Sequence, residues 1–78
     1  MPQCKYIVTD LGFPEPIVFS ETLNHSDVAR AIGGTVLGAG FCIIQDNKYV
    51  CYGKSTSLKM DSRGDEDSKV LNRRFGCY

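Results

Sequence analysis

The stretch from residue 33 to residue 60 constrains the fold of this chain most, because it has the pattern of two long β-strands joined by a tight turn. β-Branched and aromatic residues lie on both sides of Asp46-Asn47, a dipeptide typical of a turn between strands. With this turn at the tip, Cys42 faces Cys51 across the two strands. The sequence therefore predicts a long hairpin at the centre of the fold.

Alternation along the hairpin separates two faces of different character. The first is bulky and apolar, as a core is, and comprises Leu37, Ala39, Phe41, Ile43, Val50, Tyr52, Leu58 and Met60. The second, the small face, comprises Val36, Gly38, Gly40, Cys42, Ile44, Tyr49, Cys51, Gly53, Ser55 and Ser57. Gly40 and Gly53 are expected to face each other. Because glycine within a strand often marks a close approach by another backbone, we expect something to cover the small face closely.

The segments around the hairpin supply two further strands and two helices. Residues 3–9 and 17–20 have strand character and are joined by a segment with one glycine and two prolines. A helix is predicted within residues 21–34, and a second over about 65–75. The order ββαββα predicts an α+β domain, a four-stranded antiparallel sheet with both short helices over one face.

Both predicted helices have an apolar side and recognisable ends. Asn24 or Ser26 can cap the first helix, and Gly33-Gly34 can end it. Its apolar side is expected to consist of Val28, Ala31 and Ile32. The second helix carries an apolar stripe of Val70, Leu71 and Phe75 and ends at Gly76.

Length and charge limit the classes of function that the chain can have. A single domain of 78 residues buries only about 60–65% of its unfolded surface, so a second copy of the chain is a plausible source of further burial. Nine basic and nine acidic residues cancel, which disfavours a nucleic-acid backbone as the main partner. No apolar run approaches the roughly 20 residues of a membrane helix. The first residues lack the apolar region of a signal peptide, and a cytoplasmic location is expected.

Two glycine-containing motifs resemble phosphate loops but have the wrong spacing. Gly53-Lys54-Ser55 has Lys48 where a phosphate loop requires glycine, and the chain after it stays extended. Gly38-Ala39-Gly40 has Ile43 where a dinucleotide fingerprint requires its third glycine. Neither motif predicts a nucleotide cofactor.

The cysteines and the histidine do not form a recognisable site. Cys4, Cys42, Cys51 and Cys77 contain no C-x-x-C pair. Cys42 and Cys51 could form a disulfide, half of a zinc site, or a pair of reduced, half-buried thiols, and a reducing compartment favours the thiols. His25 is expected to be a capping or exposed polar residue. We therefore predict no catalytic residue, no metal and no cofactor.

Three runs in the second half of the chain have a distinctive composition. They are AGFCII at 39–44, VCYGKSTSL at 50–58 and SRGDED at 62–67. Together, over residues 34–75, they resemble small accessory proteins of phages and prophages. The resemblance implies a protein made inside an infected bacterium that binds a host component, for example to inhibit it, and it assigns no site residue.

The sequence favours a non-enzymatic binding protein, expected to form a homodimer, that contacts a protein partner or its own copy through the small face or an edge strand. The predicted contact residues are Val36, Gly38, Gly40, Cys42, Ile44, Tyr49, Cys51 and Tyr52. One alternative is a nucleic-acid-binding domain that uses Tyr49, Tyr52, Lys48, Lys54, Arg73 and Arg74. The other is an oligomer that holds a small molecule or nucleotide against its glycine-lined face.

Overall fold

Four antiparallel strands form the central sheet of the protein. The structure is a computed structural model, and it describes residues 3–76 of the chain. The elements in this range are β1 (Cys4–Asp10), β2 (Pro14–Phe19), α1 (His25–Ile32), β3 (Thr35–Gln45), β4 (Lys48–Tyr52), β5 (Lys54–Ser55), β6 (Met60–Asp61) and α2 (Asp65–Phe75). The strands of the sheet lie in the order β2-β1-β3-β4, and β5 pairs with β6 alone. The predicted α+β class is confirmed.

The central hairpin has the predicted tip and register. Gln45 pairs with Lys48, which leaves Asp46 and Asn47 as a two-residue loop. Both loop residues have positive φ, 53° and 63°, as a tight hairpin turn of type I′ requires. The predicted pairing of Cys42 with Cys51 is confirmed.

The predicted pairing of Gly40 with Gly53 is wrong. β4 ends at Tyr52, and Gly53 bends the chain out of the sheet with a φ of 80°, a conformation that favours glycine. The chain then forms the short β5–β6 hairpin beside β3 before it enters α2.

The two helices lie on opposite faces of the sheet, where one shared face was predicted. Directly opposed residues share a face, so Tyr6 and Gly40 lie on one side while Lys5 and Phe41 lie on the other. α2 packs against the side of Tyr6, and α1 contacts Phe41. The β5–β6 segment accounts for the difference, because it leads the chain from one face of the sheet to the other. Ser57, in its turn, contacts Ser26 of α1, and Ser62, directly after β6, contacts Tyr6 on the α2 side.

The main core lies on the glycine-containing side, beneath α2. It contains Tyr6, Val8, Cys42, Cys51, Val70 and Leu71. Of the face predicted to be core, Ala39 is buried, but Val50 and Tyr52 are each 37% exposed. The prediction was wrong because the longer helix, with its Val70-Leu71 stripe, packs on the small face, whereas the two-turn α1 covers only part of the bulky one.

The buried side chain of α1 is its first residue and not a member of its predicted apolar side. His25 is 3% exposed, whereas Ile32 is 42% exposed. The C-terminal end of the helix is held at β1, because the Thr9 hydroxyl donates a hydrogen bond to the Gly33 carbonyl at 2.9 Å. Gly33 and Gly34 have positive φ as expected. Within residues 3–76, neither helix combines the length and the apolar character that a membrane crossing requires.

Candidate protein-contact surface

Much of the predicted contact surface is covered by α2 of the same chain. Gly38, Gly40, Cys42 and Cys51 are buried, and the last two belong to the core that contains Val70 and Leu71. Val36, Ile44 and Tyr49 are partly buried, and Tyr52 lies on the opposite face. The expectation that something covers the small face closely was correct, but the cover is intramolecular.

Gly38 shows how closely α2 approaches the sheet. A Cβ atom at this position would overlap the carboxylate of Asp67 from the first turns of α2. A side chain at residue 38 would therefore push the helix away from β3. The sequence signal for this contact was the glycine itself, but the sequence did not identify the group that occupies the space.

Asp67 is fully buried and accepts hydrogen bonds from three directions. The Tyr6 hydroxyl donates to it at 2.5 Å, and the backbone amide of Arg63 donates at 2.9 Å. The Arg63 guanidinium completes the set with an Nε contact of 2.7 Å. Burial and the bond to Asp67 raise the pKa of Tyr6 far above its ordinary range, so the hydroxyl stays protonated and continues to donate.

The cysteines of the described range form a row of free thiols on the core side of the sheet. Cys4 lies opposite Cys42 in the β1–β3 register, and Cys42 lies opposite Cys51 in the β3–β4 register, without a disulfide bond. Burial raises the pKa of the Cys42 thiol to about 12 and that of the Cys51 thiol to about 11, so both are unreactive at neutral pH. Among residues 3–76 no three His, Cys, Asp or Glu side chains come together as a metal site. Cys77 lies outside the described residues.

The residues of the nucleic-acid alternative do not form one surface. Lys48 and Tyr52 share the α1 side of the hairpin, whereas Tyr49 lies on the α2 side with its ring 5.6 Å from that of Phe75. Arg74, on α2, forms an ion pair of 3.5 Å with Glu15. Lys54, in β5, lies near Lys5 and Phe41, and Arg73 is exposed on α2. Only Tyr52 and the lysines of this set lie on the α1 side.

The outer edge of β4 is occupied by side chains of α2. Asn72 accepts a hydrogen bond from the Tyr49 amide at 2.7 Å and donates one to the Tyr49 carbonyl at 3.1 Å. Ser68 accepts a hydrogen bond from the Cys51 amide at 2.9 Å. A second chain that paired with β4 would have to displace these bonds.

The other edge of the sheet, β2, is poor in donors. β2 pairs with β1 without a break, so the alternate residues that include Pro14 and Pro16 direct their backbone away from the sheet. Proline has no amide hydrogen, so two outward donors are missing from this edge. Both edges therefore disfavour strand addition, and the edge-strand version of the predicted contact has little structural support.

Four apolar side chains on the α1 side of the central hairpin form a surface that the helices cover only in part, which we name the β3–β4 patch. It comprises Phe41, Ile43, Val50 and Tyr52. Val50 and Tyr52 are each 37% exposed, and α1 reaches the patch only where His25 meets the edge of Phe41 at a centroid distance of 5.9 Å. The Tyr52 hydroxyl donates a hydrogen bond to Gln3.

Three lysines lie beside the patch. Lys5 pairs with Phe41 in the sheet register. Lys48 lies on the same face as Val50, one position of the face nearer the tip of the hairpin. Lys54 lies two residues beyond Tyr52. An apolar centre with a basic border therefore faces solvent on this side of the molecule.

His25 has a structural position that its sequence context did not predict. Its ring packs edge-on between Phe19 and Phe41, with centroid distances of 5.5 and 5.9 Å, and Nε2 lies 2.8 Å from the carbonyl of Gly40. Burial lowers the pKa of His25, which favours the neutral ring with Nε2 as the donor. The aromatic residues at 19 and 41 were the available signal, but their meeting depends on the β1–β2 and β1–β3 registers.

Comparison of the chain with protein-family models, with curated proteins and with solved structures finds no match in any of the three. The resemblance to phage and prophage accessory proteins thus remains a prediction from the sequence.

Proposed function

We propose that this protein acts by binding another protein through the β3–β4 patch, without catalysis, as a phage-type accessory protein in the bacterial cytoplasm. The observation that carries the proposal is a set of apolar side chains on one sheet face, of which Val50 and Tyr52 are exposed to solvent. Exposed apolar groups that lie together on one surface are characteristic of interaction sites.

Tyr52 and Val50 are suited to the centre of such a contact. Tyrosine offers a large, rigid apolar area with a polar tip, and it is enriched among residues that dominate interface energies. Phe41 lies beside Tyr52 with a centroid distance of 6.2 Å, so the two rings form one apolar area. Because the hairpin is held by the sheet and by α2, the patch is in place before a partner arrives.

The basic border indicates the chemistry of the partner. Lys5 and Lys48 would lie at the rim of a contact centred on Val50 and Tyr52. An apolar surface bordered by Asp and Glu complements this arrangement, and rim charges of opposite sign speed association. A second copy docked on the same patch by a two-fold axis would bring like lysines together, so a different, acidic protein suits the patch better.

Capture from bacterial lysate with three tagged versions of the protein tests this proposal. A genuine partner is retained by the wild type and by Leu11→Asp, a control at an apolar residue that is 43% exposed elsewhere. It is lost with Val50→Asp, and its binding weakens with added salt and with Lys48→Glu. Retention of every captured protein by Val50→Asp would contradict the proposal, as would failure to capture any.

Light scattering on the purified protein distinguishes self-association from binding of a second protein. A monomer is expected at concentrations where the partner is captured. A dimer that Val50→Asp converts to a monomer would replace the proposed partner with a second copy of this chain.

A single strand of nucleic acid is the second candidate for the patch. Phe41, Tyr52 and the bordering lysines lie on one face, and aromatic rings beside lysines stack unpaired bases. Binding of short single-stranded oligonucleotides at low salt, lost with Tyr52→Ala and falling steeply with salt, would favour this candidate. An absence of binding at low salt would remove it.

A further inference from the structure

We propose that the cavity between the start of α1 and the turn of the β5–β6 hairpin binds a small phosphomonoester. The cavity has a volume of about 410 Å³, within the range of small-molecule sites. The lining residues that matter here are Lys5, His25, Phe41, Lys54 and Ser57. This inference goes beyond the protein contact proposed above and does not depend on it.

The buried histidine is the first sign of a ligand. His25 is 3% exposed, and its Nε2 atom is occupied by the Gly40 carbonyl. Nδ1 has no hydrogen-bond partner among residues 3–76, yet no fully buried side-chain nitrogen or oxygen of this range lacks one. Nδ1 is therefore not fully buried, and His25 is one of the residues that line the cavity. With Nε2 as the donor, Nδ1 is an acceptor for an O–H group of a ligand.

Positive charge at the cavity comes from two lysines. The Lys5 ammonium donates to the Leu23 carbonyl at 2.8 Å, which holds it at the cavity and leaves two donors for an anion. Lys54 lies in β5, opposite Asp61 in the β5–β6 pairing. The acidic residue of the first helical turn, Asp27, interacts with Arg30 at 3.7 Å and is not part of the cavity lining.

The amino end of α1 lies at the same place, because Asn24 and His25 both line the cavity. Asn24 caps the helix without a side-chain hydrogen bond to its amides. The Ser26 amide instead donates to the Ser57 hydroxyl at 3.1 Å, so the turn between β5 and β6 is held against the helix start. The partial positive charge of a helix amino end adds to that of the two lysines and favours a phosphate group.

The combined groups define the ligand chemistry. A phosphate dianion suits the lysines and the helix end, and a hydroxyl of the same molecule can donate to Nδ1 of His25. Phe41 supplies an apolar wall for the rest of the ligand. A free phosphate satisfies only the first of these contacts, so a phosphomonoester that carries hydroxyl groups is expected to bind more tightly.

The ring signals of His25 provide a direct test, because the sequence contains one histidine. Inorganic phosphate, adenosine 5′-monophosphate and adenosine are titrated into the wild-type protein while the histidine resonances are followed by NMR. We expect saturable shifts with the monophosphate, weaker binding of phosphate and none of adenosine. Lys54→Met is expected to weaken monophosphate binding about tenfold, the loss of one charge-assisted contact.

Two variants make the test specific. Lys69→Met removes an exposed lysine of α2, away from the cavity, and is expected to leave monophosphate binding unchanged. Val50→Asp, which disrupts the patch, should also retain it, so the two proposals can fail separately. The phosphomonoester site is disproved by an absence of saturable shifts at about 10 mM monophosphate, by equal binding of adenosine, or by equal losses in Lys54→Met and Lys69→Met.

Discussion

At the scale of single residues, Asp67 has the most demanding environment in the described structure. Its carboxylate is fully buried, and its charge is balanced by the Arg63 guanidinium at 2.7 Å. Tyr6 and the Arg63 amide satisfy further lone pairs. A buried charge is tolerated only with this degree of pairing, so loss of one partner is costly.

Asp67→Asn is expected to lower the free energy of unfolding by about 3 kcal/mol, because Arg63 loses its buried partner while Tyr6 loses a charged acceptor. Chemical denaturation followed by circular dichroism measures the change. Asp65→Asn, at an exposed acidic residue of the same helical turn, is the control and should change stability by less than about 0.5 kcal/mol. Equal effects of the two substitutions would show that the network contributes little.

Gly38→Ala is expected to destabilise the protein by about 2 kcal/mol, because the added methyl group overlaps the Asp67 carboxylate. The same substitution in an Asp67→Ala background should cost much less, since the overlapping group has been removed. Denaturation of the four proteins of this cycle gives the coupling energy. Additive effects would mean that the methyl group is accommodated elsewhere.

At the scale of elements, α2 has two roles. Its Val70-Leu71 stripe covers the core, and its Ser68 and Asn72 side chains occupy the edge of β4. Their spacing along the helix places the apolar side chains toward the core and the polar side chains toward the edge of β4. Edge protection of this kind prevents strand addition between copies of a protein.

Asn72→Ala removes both hydrogen bonds to Tyr49 and is expected to lower stability by about 2 kcal/mol. It also frees a backbone donor and acceptor at the edge of β4, so the variant should self-associate at concentrations where the wild type does not. Denaturation and light scattering measure the two effects. Arg73→Ala, at the exposed neighbouring position, serves as the control. A monomeric Asn72→Ala protein would show that this side chain does not protect the edge.

At the scale of the whole molecule, the core couples global stability to pH. Cys42 and Cys51 are 1% and 4% exposed, and burial raises their thiol pKa values from 9.0 to about 12 and about 11. Both thiols ionise more readily in the unfolded chain than in the folded one. Their contribution to stability is therefore complete below about pH 9 and is lost as pH rises toward the folded values.

Stability is expected to fall by about 3 kcal/mol between pH 8 and pH 10, with both thiols contributing. Denaturation under reducing conditions at several pH values measures the fall. The double variant Cys42→Ala/Cys51→Ala is expected to be less stable at neutral pH and to lose less stability as the pH rises. Tyr6 should add a further loss of stability above about pH 10 in both proteins. Identical slopes for the variant and the wild type would contradict this account.

Local patterns in the chain were sufficient to place most elements. The Asp46-Asn47 turn set the hairpin register, and Gly76 marked the end of α2. These signals act over a few residues, through backbone conformation and capping, and they need no knowledge of the rest of the fold.

Which face became the core was not decided locally. The sequence by itself determined the α+β class, the tip of the central hairpin and the bounds of α2, because turn and helix-end chemistry is local. Only the tertiary structure decided that α2 covers the small face and α1 part of the other, because that choice depends on the path of the chain through β5 and β6. That choice buries Cys42 beneath α2, exposes the β3–β4 patch and encloses His25, and so it sets both proposed sites.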